Sequence, residues 1–218
     1  MRFIVVGGKG RMGRVVVEMA MEQGIEAVVV DPEAEIKDIN QVSQSVDCVV
    51  DFSSPQGTRE AVDFCVEKKL PLVSGTTGFD PDAMFKEASK ETPILYAPNF
   101  SPGVNLLFFL MKSIPQAIMS FFQPALLEIH HSAKKDKPSG TAKRFSEIMD
   151  IRDVFSIRAG DEPGIHTIYL VGEGESIEIT HRARSRRIFA MGAIAAARWI
   201  KGKERGLYSV EDIWNMKG

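Results

Sequence analysis

Cysteine is scarce: the 218 residues hold two, Cys48 and Cys65, both in apolar stretches (VDCVVDF and VDFCVEK) and without Cys-x-x-Cys spacing. That excludes a disulfide scaffold, and the two thiols read as small buried hydrophobes in a reducing compartment. Excess charge of one sign is missing as well. The net charge is −2, so no overall field recruits nucleic acid or an anionic membrane. No apolar run approaches the roughly 20 residues that span a bilayer. The opening MRFIVVGG turns glycine-rich too soon for a secretory signal. A cytoplasmic protein without membrane or nucleic-acid partners is expected. With 44% hydrophobic residues, the chain can bury a sizeable core, in one large domain or two small ones.

What is present is an alternation. RFIVVG, EAVVVD, DCVVDF, LPLVSG and PILYA are short apolar runs of the kind buried between helices. Helix-length segments such as VVVEMAMEQG and PQGTREAVDFCVEKK separate them. Strands spaced by helices predict βαβ units, hence an α/β fold of the Rossmann type with a doubly wound parallel sheet. The grammar changes after residue 103. VNLLFFLMKSIPQAIM reads as an apolar helix interrupted at Pro115, and ALLEIHH, GIHTIYLVG and SIEITHRA read as strands without long helices between them. They predict an α+β domain with a mixed, largely antiparallel sheet. RIFAMGAIAAARWIKGK is a long helix with small residues on one side, and the last twenty residues return to the first domain. The expected boundaries are 1–101 with 197–218, and 102–196.

In that frame the glycines have a purpose. Gly7-x-x-Gly10-x-x-Gly13, with Gly8 adding slack, follows the first strand and opens the first helix. A pyrophosphate needs close backbone and a helix N-terminus aimed at it, which larger side chains obstruct. A tight turn with no ligand is the plainer alternative. A P-loop is not, because Lys9 is followed by Gly10 and not by Ser or Thr. Asp31, at the end of the next strand, can accept from ribose hydroxyls and favours NAD over a 2′-phosphate; Lys9 and Arg11 soften that preference, and Asp31 could equally begin an Asp-Pro turn. The loops GTTG (Gly75 to Gly78) and APNFSPG (Ala97 to Gly103) follow later strands and open on the same sheet edge, where they would face the nicotinamide half of a cofactor or be plain turns rich in Gly and Pro.

The densest chemistry lies in EIHHSAKKDKPSGTA, Glu128 to Ala142. If this begins as a strand, His130 and His131 point to opposite faces. Zinc would need further ligands, and no cysteine or HExxH pattern supplies them, so no metal is expected. Lys134, Lys135 and Lys137 could simply coat a flexible loop. Against that, Ser139, Gly140 and Thr141 stand at the mouth of a short helix, where backbone N–H groups and hydroxyls bind a carboxylate. A histidine, a lysine and a helix-mouth anion trap describe a pocket for a small acid with proton donors beside it.

GxxGRMG, GTTG, APNFSPGVN and above all HHSAKKDKPSGTA resemble the 4-hydroxy-tetrahydrodipicolinate reductase (dihydrodipicolinate reductase) family of the diaminopimelate route to lysine. The resemblance runs from the first strand to the FAMGAIAAARW helix. It implies an NAD(P)H-dependent reductase acting on a cyclic dicarboxylate, and a homotetramer assembled through the sheet of the substrate domain. It also implies His130 as the acid/base residue, Lys134 as proton donor, and His131, Gly140 and Thr141 as contacts to substrate carboxylates. NADH or NADPH would be held by Gly7, Gly8, Lys9, Gly10, Arg11 and Met12, by Asp31, by Gly75, Thr76 and Thr77, and by Tyr96, Ala97, Pro98 and Asn99. The chain departs from the family pattern twice. Pro32 stands where an Arg often follows the ribose-binding acid, and the segment between GTA and IRAGDEPGIH is short. Arg158, Gly160, Gly164 and His166 match the family's R-x-G…G-x-H feature, with His166 read as a strand or interface residue. The arginines around His181 read as an anion-facing or subunit-contact edge. Competing readings are another amino-acid-route dehydrogenase, such as one acting on aspartate, and a nicotinamide sensor without chemistry.

Overall fold

The apolar runs of the first hundred residues become strands because the central ones are buried on both faces, while EAVVV, at the sheet edge, is half-buried. In the computed structural model, which describes residues 1–216, β1 (Arg2–Val6) leads to α1 (Arg11–Glu22) and β2 (Glu26–Val30). Next come β3 (Cys48–Asp51), α2 (Pro55–Lys68), β4 (Leu72–Ser74), α3 (Asp82–Ala88) and β5 (Pro93–Tyr96). The second part of the chain holds α4 (Pro102–Lys112), α5 (Gln116–Met119), β6 (Gln123–His130), α6 (Gly140–Met149), β7 (Asp153–Arg158), β8 (Ile165–Val171) and β9 (Ser176–Arg182). Finally α7 (Arg187–Ile200), β10 (Gly206–Tyr208) and α8 (Val210–Ile213) carry the chain back. Two compact units result: Met1–Ser101 with the chain from Phe189 onward, and Pro102–Ile188. The return comes at Phe189, earlier than the expected residue 197, because Ala190, Ala193, Ile194 and Ala197 of α7 pack into the first unit's core. Lys217 and Gly218, at the end of the expected segment, lie outside the described residues.

In the first unit six strands run parallel in the order β10-β5-β4-β3-β1-β2. Side-chain alternation divides the core between its faces. Phe3, Val5, Cys48, Val50, Val73 and Leu95 pack with Val16, Met19 and Ala20 of α1 and the small residues of α7. Ile4, Val6, Val49, Leu72 and Ile94 pack with α2 and α3 through Ala61, Phe64, Cys65 and Phe85. The sheet is doubly wound, as the alternation predicts. Both cysteines are buried, Cys48 on β3 in one core and Cys65 on α2 in the other, and burial pushes both thiols up, away from the reactive thiolate. β1 lies between β2 and β3, so the strand order reverses there, and a crevice opens beyond the carboxyl ends of β1 and β3.

In the second unit the order is β7-β6-β8-β9, with β6 parallel to β7 and the other two pairings antiparallel. One face of this sheet is covered: Leu126, Ile168 and Leu170 pack with Val104, Phe108 and Met111 of α4 and Phe145 and Met149 of α6. On the other face Phe155 and Ile157 of the edge strand β7 are 61% and 45% exposed. The sequence reading had no strand at β7. The short segment after Thr141 is visible as geometry: α6 ends on Asp150 in the left-handed conformation, and β7 begins at Asp153.

Candidate active site

The crevice of the first unit is made of main chain. Gly7 has φ +76°, and a Cβ on it would lie 2.5 Å from the Phe52 carbonyl oxygen; a Cβ on Gly13 would lie 2.0 Å from the Gly7 carbonyl oxygen. The loop after β1, the loop after β3 and the first turn of α1 can approach this closely only without side chains. Gly10 caps α1 with backbone alone, since no side chain caps this helix. The amides at the head of α1 are therefore suited to an anion, which is what a dinucleotide brings. Lys9, Gly10 and Arg11 lie along this loop, and Met12 packs beneath it against the core. A cavity of about 410 Å³ adjoins the loop, lined among others by Gly7, Gly10, Asp31, Pro32, Lys37 and Ser53. Asp31 stands at its rim. Its carboxylate accepts from the Lys9 amide at 3.0 Å and the Glu33 amide at 3.0 Å, and its carbonyl accepts from Ala34. Asp31 thus opens an Asp-Pro turn while lining the cavity.

The sequence reading missed the group that fixes these loops. Asp51, at the end of β3, is fully buried. It accepts from Thr58 Oγ1 at 2.7 Å, Ser74 Oγ at 2.7 Å, Thr76 Oγ1 at 3.0 Å and the Ser53 amide at 3.1 Å. Its carbonyl accepts from the Gly75 amide. One carboxylate thereby joins the β3–α2 loop, α2, β4 and the GTTG loop, and its buried charge is met by donors on every side. Thr76 is correspondingly turned inward: it is buried and also accepts from the Ser53 amide at 2.9 Å, so its hydroxyl serves the fold. Gly75 sits against the Phe52 ring, and Thr77 follows on the exposed part of the loop. Tyr96 packs against Phe85 with ring centroids 5.1 Å apart, and burial pushes its hydroxyl up. Ala97 is buried and donates to Ser74, Pro98 is exposed, and Asn99 accepts from the Ser101 amide at 2.8 Å.

The second unit builds its site from charged side chains. Glu128, fully buried on the helix-covered face of β6, accepts from Arg158 Nη2 at 2.7 Å and from the Ser139 amide at 3.2 Å through Oε1. Its Oε2 is ion-paired with Nδ1 of His130, and neither atom has another hydrogen-bond partner. Burial alone would raise the Glu128 carboxyl; hydrogen bonds from His130, Arg158 and Ser156 outweigh it and hold the group well below the usual carboxylate range. His166 of β8 stands edge-on to His130, ring centroids 5.0 Å apart at 73°. Burial, followed by the repulsion of His130, lowers His166 to about 3, so it is neutral at ordinary pH. His181 pairs across the strands with His166, and burial lowers it too.

Ser139 caps α6, accepting from the Ala142 amide at 3.2 Å, and its hydroxyl meets His166 Nε2 at 3.3 Å. It is buried, so the hydroxyl expected to hold a substrate carboxylate is engaged inside the fold. Gly140 and Thr141 occupy the first turn of α6, nearer to solvent. Asp136 takes the place expected for an incoming acid. Burial on its own would raise its carboxyl, but Lys134 at 2.7 Å and the Gly140 amide hold it low. The Lys134 ammonium is turned to Asp136 and the His130 imidazole to Glu128. His131 lies one residue beyond β6, half-buried, its carbonyl accepting from the Lys134 amide. Glu128, His130 and His166 offer three donor atoms within 4.8 Å of one another, the spacing of a metal site. The Arg158 guanidinium already supplies the positive charge at that carboxylate, so this donor set fits an ion pair better than a cation.

A parallel sheet with a glycine-lined crevice at its reversal point, and a cluster of acid and base side chains on a separate α+β sheet, define a two-domain protein of the Rossmann type. Residues 1–100 match the model for the N-terminus of dihydrodipicolinate reductase, and residues 103–214 match that for its C-terminus. The curated 4-hydroxy-tetrahydrodipicolinate reductase of Trichlorobacter lovleyi is 33% identical over 264 positions, covering 99% of each chain. That of Aquifex aeolicus is 35% identical, covering 97% of this chain and 98% of its own. Among solved structures, dipicolinate-bound dihydrodipicolinate reductase from Paenisporosarcina sp. TG-14 superposes with a TM-score of 0.73 at 21% identity, covering 98% of this chain and 99% of the other. The chain belongs to the dihydrodipicolinate reductase family, NAD(P)H-dependent oxidoreductases of lysine and diaminopimelate biosynthesis. Alignments running to 264 positions against 218 residues mean that the relatives carry segments this chain lacks.

Proposed function

We propose that the protein reduces (2S,4S)-4-hydroxy-2,3,4,5-tetrahydrodipicolinate to (S)-2,3,4,5-tetrahydrodipicolinate with loss of the 4-hydroxyl as water, using NADH or NADPH. The observation that carries this reading is the buried Glu128–His130 pair beside the Lys134 loop and the head of α6, in a chain of this family. When bound, the nicotinamide supplies the hydride that adds at C4 of the conjugated ring. The glycine loop Gly7–Gly10 and the head of α1 bind its pyrophosphate, and Asp31 accepts from the adenosine ribose. Asp31 and the absence of an arginine at Pro32 favour NADH. Reduction leaves electron density on the ring that must take up a proton, and His130 with Lys134 provides it. To do so, Lys134 exchanges Asp136 for a substrate carboxylate, and Gly140, Thr141 and His131 take the remaining carboxylate contacts. The uncovered face of the second sheet, with Phe155 and Ile157 at its edge, supports assembly into a homotetramer. The buried reduced thiols are in keeping with a cytoplasmic setting.

The test is oxidation of NADH and of NADPH with freshly generated substrate, run beside an assay with aspartate. Turnover on the cyclic dicarboxylate is expected. Activity on aspartate alone would assign a different dehydrogenase, and tight cofactor binding without turnover on either would leave a sensor.

A further inference from the structure

The second unit encloses an anion that reaches the reaction only through one ring. Glu128 Oε1 is held by Arg158 and by the Ser139 amide, which leaves Oε2 for Nδ1 of His130. Arg158 is itself tied down, donating also to the carbonyls of Asp136 and Ile157. A carboxylate gripped in this way is a fixed point, because its charge is satisfied and it cannot rotate without leaving a buried cation unpaired. The ring it holds therefore has one orientation. With Nδ1 turned inward, Nε2 points the opposite way, and the backbone of Gly164 borders it: a Cβ at 164 would stand 3.1 Å from Nε2 and 3.4 Å from Cδ2. The absence of a side chain at 164 keeps open the space beside Nε2 that a Cβ would enter.

We propose that Glu128, clamped by Arg158 and the head of α6, is a positioning residue for the reaction. It keeps His130 protonated on Nδ1 toward the interior, so that Nε2 is the atom that exchanges a proton with substrate past Gly164. This rests on the role given to His130 above. His130 meets Glu128 on its own strand and His166 on β8, with His181 behind the latter on β9; one step further out, Arg158 on β7 pairs with Glu128, Ser139 at the head of α6 meets His166, and Lys134 pairs with Asp136 in the loop between. Glu128 is the carboxylate paired with Nδ1. His166 is neutral and edge-on, so it packs the ring without competing for its proton.

The experiment is Glu128→Gln, close in size and uncharged, in the full-length protein. Its ¹⁵N histidine spectrum is read beside kcat and the KM for each nicotinamide. The wild type is expected to show His130 with a protonated Nδ1 and the variant to lose that signature. Turnover should fall on the order of 10²-fold while cofactor KM stays put, since a misoriented group costs about that much. An unchanged His130 signature in the variant overturns the proposal whatever turnover does. Wild-type turnover in His130→Gln would instead overturn the acid/base role of the ring, leaving the spectrum to decide whether Glu128 holds it. Should Glu128→Gln fail to fold, Arg158→Lys removes the forked grip and keeps the charge. It is expected to lower kcat less, in the same direction, and an unaltered kcat with an unaltered His130 spectrum would overturn the proposal.

Discussion

The two units build their candidate sites by opposite means. In the first, main chain lines the crevice, and buried Asp51 is met by hydroxyl and amide donors. In the second, charges face one another, Glu128 with Arg158 and Asp136 with Lys134, and the His130 ring sits against Glu128. A site of main chain is sensitive to an added atom and indifferent to charge; a site of ion pairs is the reverse. Binding a nucleotide that many enzymes share needs a fixed surface, whereas moving a proton needs groups whose charge can change.

That contrast can be broken at several points. The largest effect is expected from Lys134→Ala, which should lower kcat by about 10²–10⁴-fold and leave nicotinamide affinity near wild type. Parallel titration and steady-state kinetics check this, and unchanged turnover would remove Lys134 from the chemistry. Gly13→Ala should act on the other side of the comparison. Its Cβ would meet the Gly7 carbonyl at 2.0 Å, so a destabilisation of about 1–3 kcal/mol is expected, with weakened cofactor binding, read by thermal melt and calorimetry. A variant that melts and binds like wild type would mean the loop has room.

Acid should separate the units more gently. His166 is lowered to about 3 by burial, while the unfolded chain takes up that proton at about 6.5. Its contribution to stability is therefore present above about pH 6.5 and is lost as the pH falls toward about 3. Glu128 is held low as well, so its contribution is present above the unfolded carboxylate range and is lost as the pH falls through its own depressed value. Melting temperature should fall between about pH 7 and pH 5, and His166→Asn should flatten that slope; an equally steep slope in the variant would place the sensitivity elsewhere. The smallest effect is expected from Asp31→Ala, a few-fold shift of preference toward NADPH, on the order of 1 kcal/mol or less. No shift would mean that the ribose is held by other groups.

Sequence reading reached the features that are local. Glycine spacing between a strand and a helix, and the HHSAKKDKPSGTA string, carry their geometry in consecutive residues, and the strands of the first unit follow from uninterrupted apolar runs. It did not reach the groups that fix those features. Asp51 gathers partners from positions 53, 58, 74 and 76, which adjoin only once β3 and β4 pair. Its one local sign is an acid ending an apolar strand before two serines, in VVDFSS. Glu128 and Arg158 are thirty positions apart and meet because β7 lies parallel to β6. DVFSIR does not read as a strand while its charged ends weigh against burial, and only its alternation of half-buried and exposed positions betrays it. At Ser139 and Thr76, both expected at ligand-binding positions, the structure adds what the sequence could not show: their hydroxyls are engaged within the fold.

Whether this chain reduces a hydroxylated cyclic imine dicarboxylate is decided most directly by following NADH and NADPH consumption as 4-hydroxy-tetrahydrodipicolinate is generated in the cuvette. The account predicts one nicotinamide oxidised for each substrate formed, with NADH at least as effective as NADPH, and loss of that consumption in His130→Gln. Consumption that is absent with this substrate, or undiminished without the imidazole, would contradict it.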